Sequence, residues 1–490
     1  MKQFFYKNKM LISVIAIIVY FLIIYALNIK LSFNNVQITG AIVIALIITF
    51  MNFYTLKKFE KSKKIDYKKI IIAIGIIGIV LRTVYILYTP LDERQHDMEK
   101  KSGHLAYIET IYNTGKLPTT NKWQFYQQPL HHIIAACWLK INTKLGVDFD
   151  IAKDGIKILT AIYSSLIILI TYAILKELNV KNKIKVLIML IIAVHPTFII
   201  LSGSVNNDIL MIMFTFLGLL YLIKWNKNQS IKNTVILAIV TALIALSKIS
   251  GTIIAIPIIY IFINRFFKDY FSKKDKKVIK EYLIKFTLFG IISLSLGLSY
   301  SIRNLIKFDQ SIFYVPKAGE AVYCGDRDIF ERINIFSKEW LKVFCFPYND
   351  CNILSYLIRS SIFGEYHLDE ENGYIISYVL LVFNVILIIL SIISLIYIIF
   401  KKEKKIEIKM LILFYFTELI MYIYSNFSMP YGCTMDFRYV VPTIFLGMIF
   451  IEQAIENKAK NYYNGISCIT ILFSICAVIF ELTYMQYLYV

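Results

Sequence analysis

The sequence predicts an all-α polytopic membrane protein of about thirteen transmembrane helices, and three observations carry that prediction. Of 490 residues, 58% are hydrophobic and only 18% charged, with a mean hydropathy of +0.63. Apolar runs long enough to cross a bilayer recur between lysine clusters, and every second loop between them is basic. A soluble domain carries ~25% charged residues, and a single core stops growing near ~250–300 residues. So much apolar sequence has no soluble interior to enter. Nine prolines, 19 glycines and seven cysteines are too few for a disordered, collagen-like or disulfide-scaffold chain.

A span needs ~20 residues at 1.5 Å each. Such runs fall near 10–29, 36–56, 70–89, 155–175, 184–201, 206–223, 234–249, 251–266, 286–304, 375–400, 410–427, 440–456 and 465–487. The runs 234–249 and 251–266 are short and meet at Ser250-Gly251. The opening MKQFFYKNKM resembles the basic region of a signal peptide, but its apolar run is too long and no small-residue cleavage site follows, so an uncleaved anchor is expected.

A cytoplasmic N-terminus makes 1–9, 57–69, 176–185, 224–233, 265–285, 401–409 and 457–464 the inner segments, and these hold 32 of the 53 lysines and arginines. That is the positive-inside pattern. The net charge of +20 is therefore mainly an orientation signal, with no nucleic-acid partner expected and the C-terminus outside. Residues 129–146 are apolar enough to pass for a span, but counting them would put the lysine-rich loop 176–185 outside. As an amphipathic helix in the outer interface, Leu130, Ile133, Ile134, Cys137, Ile141 and Leu145 form one apolar stripe, with His132, Lys140 and Lys144 largely off it. Pro129 suits its first turn.

The expected organisation is an N-terminal hairpin with its basic loop (1–69), a catalytic core (70–456) and a last helix (457–490). The core carries two sizeable outer regions, 90–154, with juxtamembrane helices, and 305–374. Shorter outer turns are SGSVNND (202–208) and SMPYGCTMDFR (428–438). No internal repeat is visible.

The unusual residues gather outside. Seven of the eight arginines (82, 94, 303, 327, 332, 359 and 438) avoid the inner loops, where only Arg265 falls. Guanidinium offers a planar fork that matches phosphate bidentately, whereas ammonium is a point charge. All six histidines (96, 104, 131, 132, 195 and 367) lie in outer loops or near outer helix ends, four of them in the first loop with Asp92, Glu93 and Asp97. Asp92-Glu93 follows the third run and Pro90, where a carboxylate can serve as a general base at the lipid–water boundary; it equally marks the wetted end of a span. Arg82, Lys248, Arg303 and Arg438 lie in or at the ends of spans, where charge costs ~2.5–3.5 kcal/mol, so each faces a site or snorkels to the interface.

No cofactor is required. A divalent metal is compatible with the chemistry but lacks support: His96 and His104 have no ligand spacing, and the D-x-D pairs Asp148/Asp150 and Asp326/Asp328 arise often by chance. Cys324, Cys345, Cys351 and Cys433 sit on the outer side, with pairing open. A Walker A motif is absent from the sequence, which argues against ATP-driven transport.

Together the motifs resemble the GT-C glycosyltransferases: protein O-mannosyltransferases, lipid A aminoarabinose transferases and their bacterial relatives. The order is Asp92-Glu93-x-x-His96, Gly115-Lys116-Leu117-Pro118, Gln128-Pro129-Leu130-His131, His195-Pro196, Val205-Asn206-Asn207-Asp208, Leu246-Ser247-Lys248, Ile302-Arg303-Asn304 and Arg438-Tyr439-x-x-Pro442, spanning roughly 70–450. The resemblance implies Asp92, with Glu93 beside it, as catalytic base, and Asp208 as the acidic residue at a second outer turn. It also implies Arg303, Arg438 and Lys248 on the donor's lipid phosphate. His96, His131, His132, Asn207 and Tyr439 are further expected substrate contacts. Two features depart from the family: its Pro-Pro is Gln128-Pro129 here, and its Leu-Tyr-Tyr is Leu130-His131-His132.

The implied activity is inverting transfer of a sugar from a polyprenyl phosphate, a partner lying in membrane lipid, to an acceptor hydroxyl or amine on a protein, lipid or glycan at the outer face. An envelope polysaccharide polymerase or ligase would instead release a diphosphate. A lipid-linked sugar flippase would place charge along a central path.

Overall fold

The computed structural model describes residues 9–31, 66–89, 91, 101–119, 122–335, 351–364, 367–368, 374–456, 460–483 and 488–489. It is a helical bundle; the strand content of the described residues is a two-residue pairing of His367–Leu368 with Leu488–Tyr489 and an isolated bridge between Tyr323 and Tyr431. By length and composition, seven of the described helices can cross a membrane, or ten if each bent pair is one span. The chain is a multi-pass membrane protein.

The run 36–56 lies outside the described residues; every other apolar run coincides with a helix or a bent pair. The expected count of about thirteen is not reached by length and composition for local reasons. Ile231–Ser247 has 17 residues, and Ile406–Ser428 carries Glu407, Lys409 and a buried Glu418. Three segments bend: Asn182–Val194 with Pro196–Gly203 by 48°, Lys276–Gly297 with Ser299–Phe308 by 50°, and Gly432–Tyr439 with Pro442–Glu456 by 49°.

Side-chain contacts define two poles. At one, Lys227 pairs with Glu177 at 2.8 Å and Lys181 with Glu456 at 3.4 Å, while Asn226 binds both Glu407 and Arg265. All of these belong to the basic loops or their edges. At the other pole, the ends of the same helices bring together Leu91, Gln128, Val205, Asp208, Lys248, Ser301 and Arg438. Leu130–Lys144 belongs to this second pole, and leaving it out of the span count keeps the chain alternating between poles. Its polar face packs inward through His131, His132 and Asn142, while Ile133, Ile141 and Leu145 of the stripe stay exposed. An apolar stripe turned away from the protein is what an interfacial helix presents to lipid.

Arg82 has a structural role. The break at His195-Pro196 frees carbonyls, because Pro196 has no N–H for Ile192 and the Thr197 N–H turns to His195 Nδ1. The fully buried Arg82 guanidinium donates to the Ile192, Ala193 and Gly78 carbonyls and to Ser164 Oγ, at 2.7–3.3 Å. We expect Arg82→Met to strand two of these carbonyls and lower stability by about 3 kcal/mol, read as thermal unfolding in detergent. An unchanged midpoint would refute this role.

Candidate functional site

The charged residues of the second pole come from three distant segments. Asp208 opens the helix Asp208–Lys227. Asn207, just before it, donates to the Ser247 carbonyl at 2.5 Å, tying that helix start to the end of Ile231–Ser247. Lys248 is the next residue, and its ammonium forms a buried ion pair with Asp208 Oδ1. Arg438 approaches the other carboxylate oxygen, with Nε 3.7 Å from Oδ2. The Tyr439 ring sits 4.6 Å from the Lys248 ammonium and 5.3 Å from the Arg438 guanidinium. One carboxylate thus faces two cations, a net positive charge against an aromatic wall. An anion can join this arrangement without stranding an unpaired buried charge.

Arg438 is held by the turn that carries it. Asp436 accepts its backbone N–H at 2.7 Å, and the preceding Phe437 N–H donates to Ser360 Oγ at 2.9 Å. Upstream, Pro430 accepts from the Cys324 N–H at 2.7 Å, and Cys324 forms a disulfide with Cys351. This pairing was open in the sequence; two residues beyond it begins Ile353–Phe363, the helix that carries Ser360.

Arg303 lies in a neighbouring cluster. Its guanidinium donates to the Pro118 carbonyl and, at 2.8 Å, to Asn304 Oδ1, and packs over Tyr300 and Phe308. Tyr107 donates to the Tyr300 hydroxyl, which donates to the Phe125 carbonyl. Among the described residues Arg303 makes no contact with Asp208, Lys248 or Arg438, so the two arginines expected on one phosphate occupy separate clusters. Amides bridge them: Gln128 donates to Ser301 Oγ at 2.8 Å, and Asn207 donates to Gln127 Oε1 at 3.4 Å.

His131 and His132 point inward. His132 Nδ1 meets the Gln128 carbonyl at 3.1 Å, so its Nε2 accepts from His104 Nδ1 at 2.8 Å, and its ring stacks on Tyr107. His131 Nε2 bonds the Val205 carbonyl at 2.9 Å. Burial, with His104 adding repulsion, pushes His131 down to about 4 and His132 well below its usual range; the Val205 bond and Asp208 pull His131 the other way only in part. Because the folded value of His131 lies below the unfolded one near 6.5, its neutral form stabilises the fold above that value. We expect stability to fall as pH drops from about 6.5 to 4, and His131→Gln to flatten that loss in a pH series of unfolding midpoints.

Asp92, Glu93, Arg94, His96 and Asp97 lie outside the described residues. Leu91, next to Asp92, is described: its N–H donates to Asp154 Oδ1 at 3.0 Å and its side chain packs with Leu105, Ala135 and Val205. The D-x-D pairs act as local caps. Asp148 accepts from the N–H groups of Asp150 and Ile151, Asp150 pairs with Lys153, and Asp328 accepts from the Phe330 N–H. Among the described residues no group of three or more His, Cys, Asp or Glu is placed to hold a metal. Gln127 and Ser301 were missed by the sequence reading. Neither carries charge, and only their convergence marks them.

Residues 131–292 match the family model of dolichyl-phosphate-mannose-protein mannosyltransferases, which bears out over that stretch the resemblance carried by the motifs. Two solved structures are similar. One is ArnT from Cupriavidus metallidurans in the apo state, with 10% identity, TM-score 0.38, and 84% of this chain and 77% of that chain covered. The other is ArnT from Cupriavidus metallidurans bound to undecaprenyl phosphate, with 13% identity, TM-score 0.37, and 83% and 77% covered. No curated protein matches the chain.

Proposed function

We propose, on its similarity to the mannosyltransferase family and on the site above, that the protein is a GT-C-type glycosyltransferase. It takes a sugar from a polyprenyl phosphate and passes it to an acceptor hydroxyl at the outer membrane face. The observation that carries this reading is the buried group of Asp208, Lys248 and Arg438 against Tyr439, a cationic pocket that residues 131–292 help to build. The disulfide at the same pole supports an outer placement, since disulfides persist in oxidising compartments, and the lysine-rich loops at the opposite pole agree.

In the proposed step Asp92 takes the acceptor's hydroxyl proton as that oxygen attacks C1 of the sugar. The C1–O bond to phosphate breaks with its electron pair going to the phosphate oxygen, and C1 inverts. Lys248 and Arg438 stabilise the charge growing there; fixed charges in a partly dry site lower such barriers by about 3 kcal/mol each. Asp208 sets the two cations in place. Arg303 serves the donor from the neighbouring cluster. His96 and His132 line the approach to it, with His131 and Asn207 beneath. Gripping a monophosphate by cations needs no metal.

The test is release of free polyprenyl phosphate from a defined glycosylated polyprenyl phosphate by the purified protein. We expect release by the wild type and at least a ~100-fold slower rate for Asp92→Asn. A normal rate for the variant would remove Asp92 from its role. Movement of the intact lipid between leaflets without release would favour a flippase.

A further inference from the structure

Beside the charged cluster lies a shallow cleft with about 290 Å³ of space, part of it open to solvent. Its polar walls are amides and hydroxyls: Gln127, Gln128, Ser301, Asn304 and Gln310, each more than nine-tenths buried. Tyr126 and Tyr314 line it too, with ring centroids 6.1 Å apart and near-perpendicular. None of the lining residues is charged, although Ile249 of the wall adjoins Lys248 and Gln127 is bonded to Asn207 beside Asp208. The cleft and the cation cluster therefore share a border, neutral on one side and positive on the other. A glycosyl phosphate has the same division.

Gln128 adds a second, independent observation. Its Nε2 is used by Ser301, but its Oε1 is buried and has no hydrogen-bond partner among the described residues. Asn207 Oδ1, across the border, is in the same condition. A buried amide oxygen left unmet costs about 1–3 kcal/mol. Hydroxyl donors of a ligand would recover that. The backbone of Gln128 is itself pinned, because its carbonyl accepts from His132 Nδ1. Bringing a carboxylate or an ammonium into this wall would desolvate a charge with no counter-charge facing it.

We propose that this cleft holds the glycosyl group of the donor and selects a neutral, polyhydroxylated sugar, with Gln128 as a specificity-determining residue; this rests on the transferase reading above. Charged sugars are rejected because the wall offers them only neutral dipoles. The proposal places selectivity in a side chain where the family to which the chain is similar has proline, so it concerns this chain's own residue.

The test uses the full-length protein in lipid nanodiscs with four probes: unglycosylated polyprenyl phosphate, and polyprenyl phosphate bearing glucose, glucuronic acid or a 4-amino-4-deoxy sugar. Binding is measured by competition and turnover by release of polyprenyl phosphate. We expect kcat/KM for the glucosyl lipid to exceed that for both charged lipids by about tenfold or more. Gln128→Leu should weaken glucosyl-lipid binding about tenfold while leaving the unglycosylated lipid within about twofold. Gln128→Glu should shift preference toward the amino sugar. Equal use of neutral and charged sugars by the wild type, or equal weakening of glycosylated and bare lipid by Gln128→Leu, would overturn the assignment. Discrimination among bound lipids without release from any would defeat the transferase reading and leave the cleft assigned. Failure to bind any probe would overturn both.

Discussion

Asp208→Ala is expected to abolish turnover, by about 100-fold or more, and to destabilise the outer pole. The carboxylate is nearly fully buried and accepts from Lys248, with Arg438 3.7 Å away on its other oxygen. Removing it leaves two cations facing each other across a tyrosine ring. Breaking a buried pair in this way costs about 3–5 kcal/mol, because the desolvated partner keeps its charge. The double variant Asp208→Asn with Lys248→Met removes one positive and one negative charge together, so it should recover stability without recovering activity. Unfolding midpoints and donor turnover for the two singles and the double form the measurement. Recovery of turnover by the double variant would assign the pair a structural role only, and a fully active Asp208→Ala would remove the cluster from the site.

Loss of the Cys324–Cys351 disulfide is expected to have the second largest effect, and to act at a distance. The bridge joins two elements that grip the Arg438 turn from both sides: Cys324 through its hydrogen bond to Pro430, and the Cys351 side through Ser360 on the Phe437 N–H. Closing a loop across a sequence separation of 27 residues is worth about 3 kcal/mol on chain-entropy grounds. A shift of the Arg438 guanidinium by about 1 Å suffices for a rate loss of up to ~100-fold. We expect Cys324→Ser with Cys351→Ser, or reductant on the wild type, to lower both the unfolding midpoint and donor kcat/KM. Arg438→Ala should lower kcat/KM alike, and adding the cysteine changes to it should cost little more. Full activity after thiol titration has shown the bridge to be open would refute the coupling.

The bundle was legible in the sequence because membrane topology is written in local quantities. A helix that spans lipid satisfies its own backbone, so run length and the placement of lysine suffice to mark it. The interfacial reading of 129–146 followed from that alternation, and the exposed Ile133, Ile141 and Leu145 agree with it. Bends were less visible: Pro196 announces one, but the 50° turn between Gly297 and Ser299 has no proline. Residue type also pointed to Asp208, Lys248 and Arg438, since buried charge in an apolar chain requires a partner or a site.

Which partner each charge takes was decided only by the fold. Arg82, Arg303 and Arg438 look alike in the sequence, yet one caps a broken helix, one rests on Pro118 and Tyr300, and one reaches Asp208. The Cys324–Cys351 pairing and the neutral cleft around Gln128 likewise join segments far apart in the chain. Charge and hydropathy belong to single residues and short windows, so a linear reading finds them. Contacts between distant segments depend on how helices pack and where they bend, and that information exists only in three dimensions.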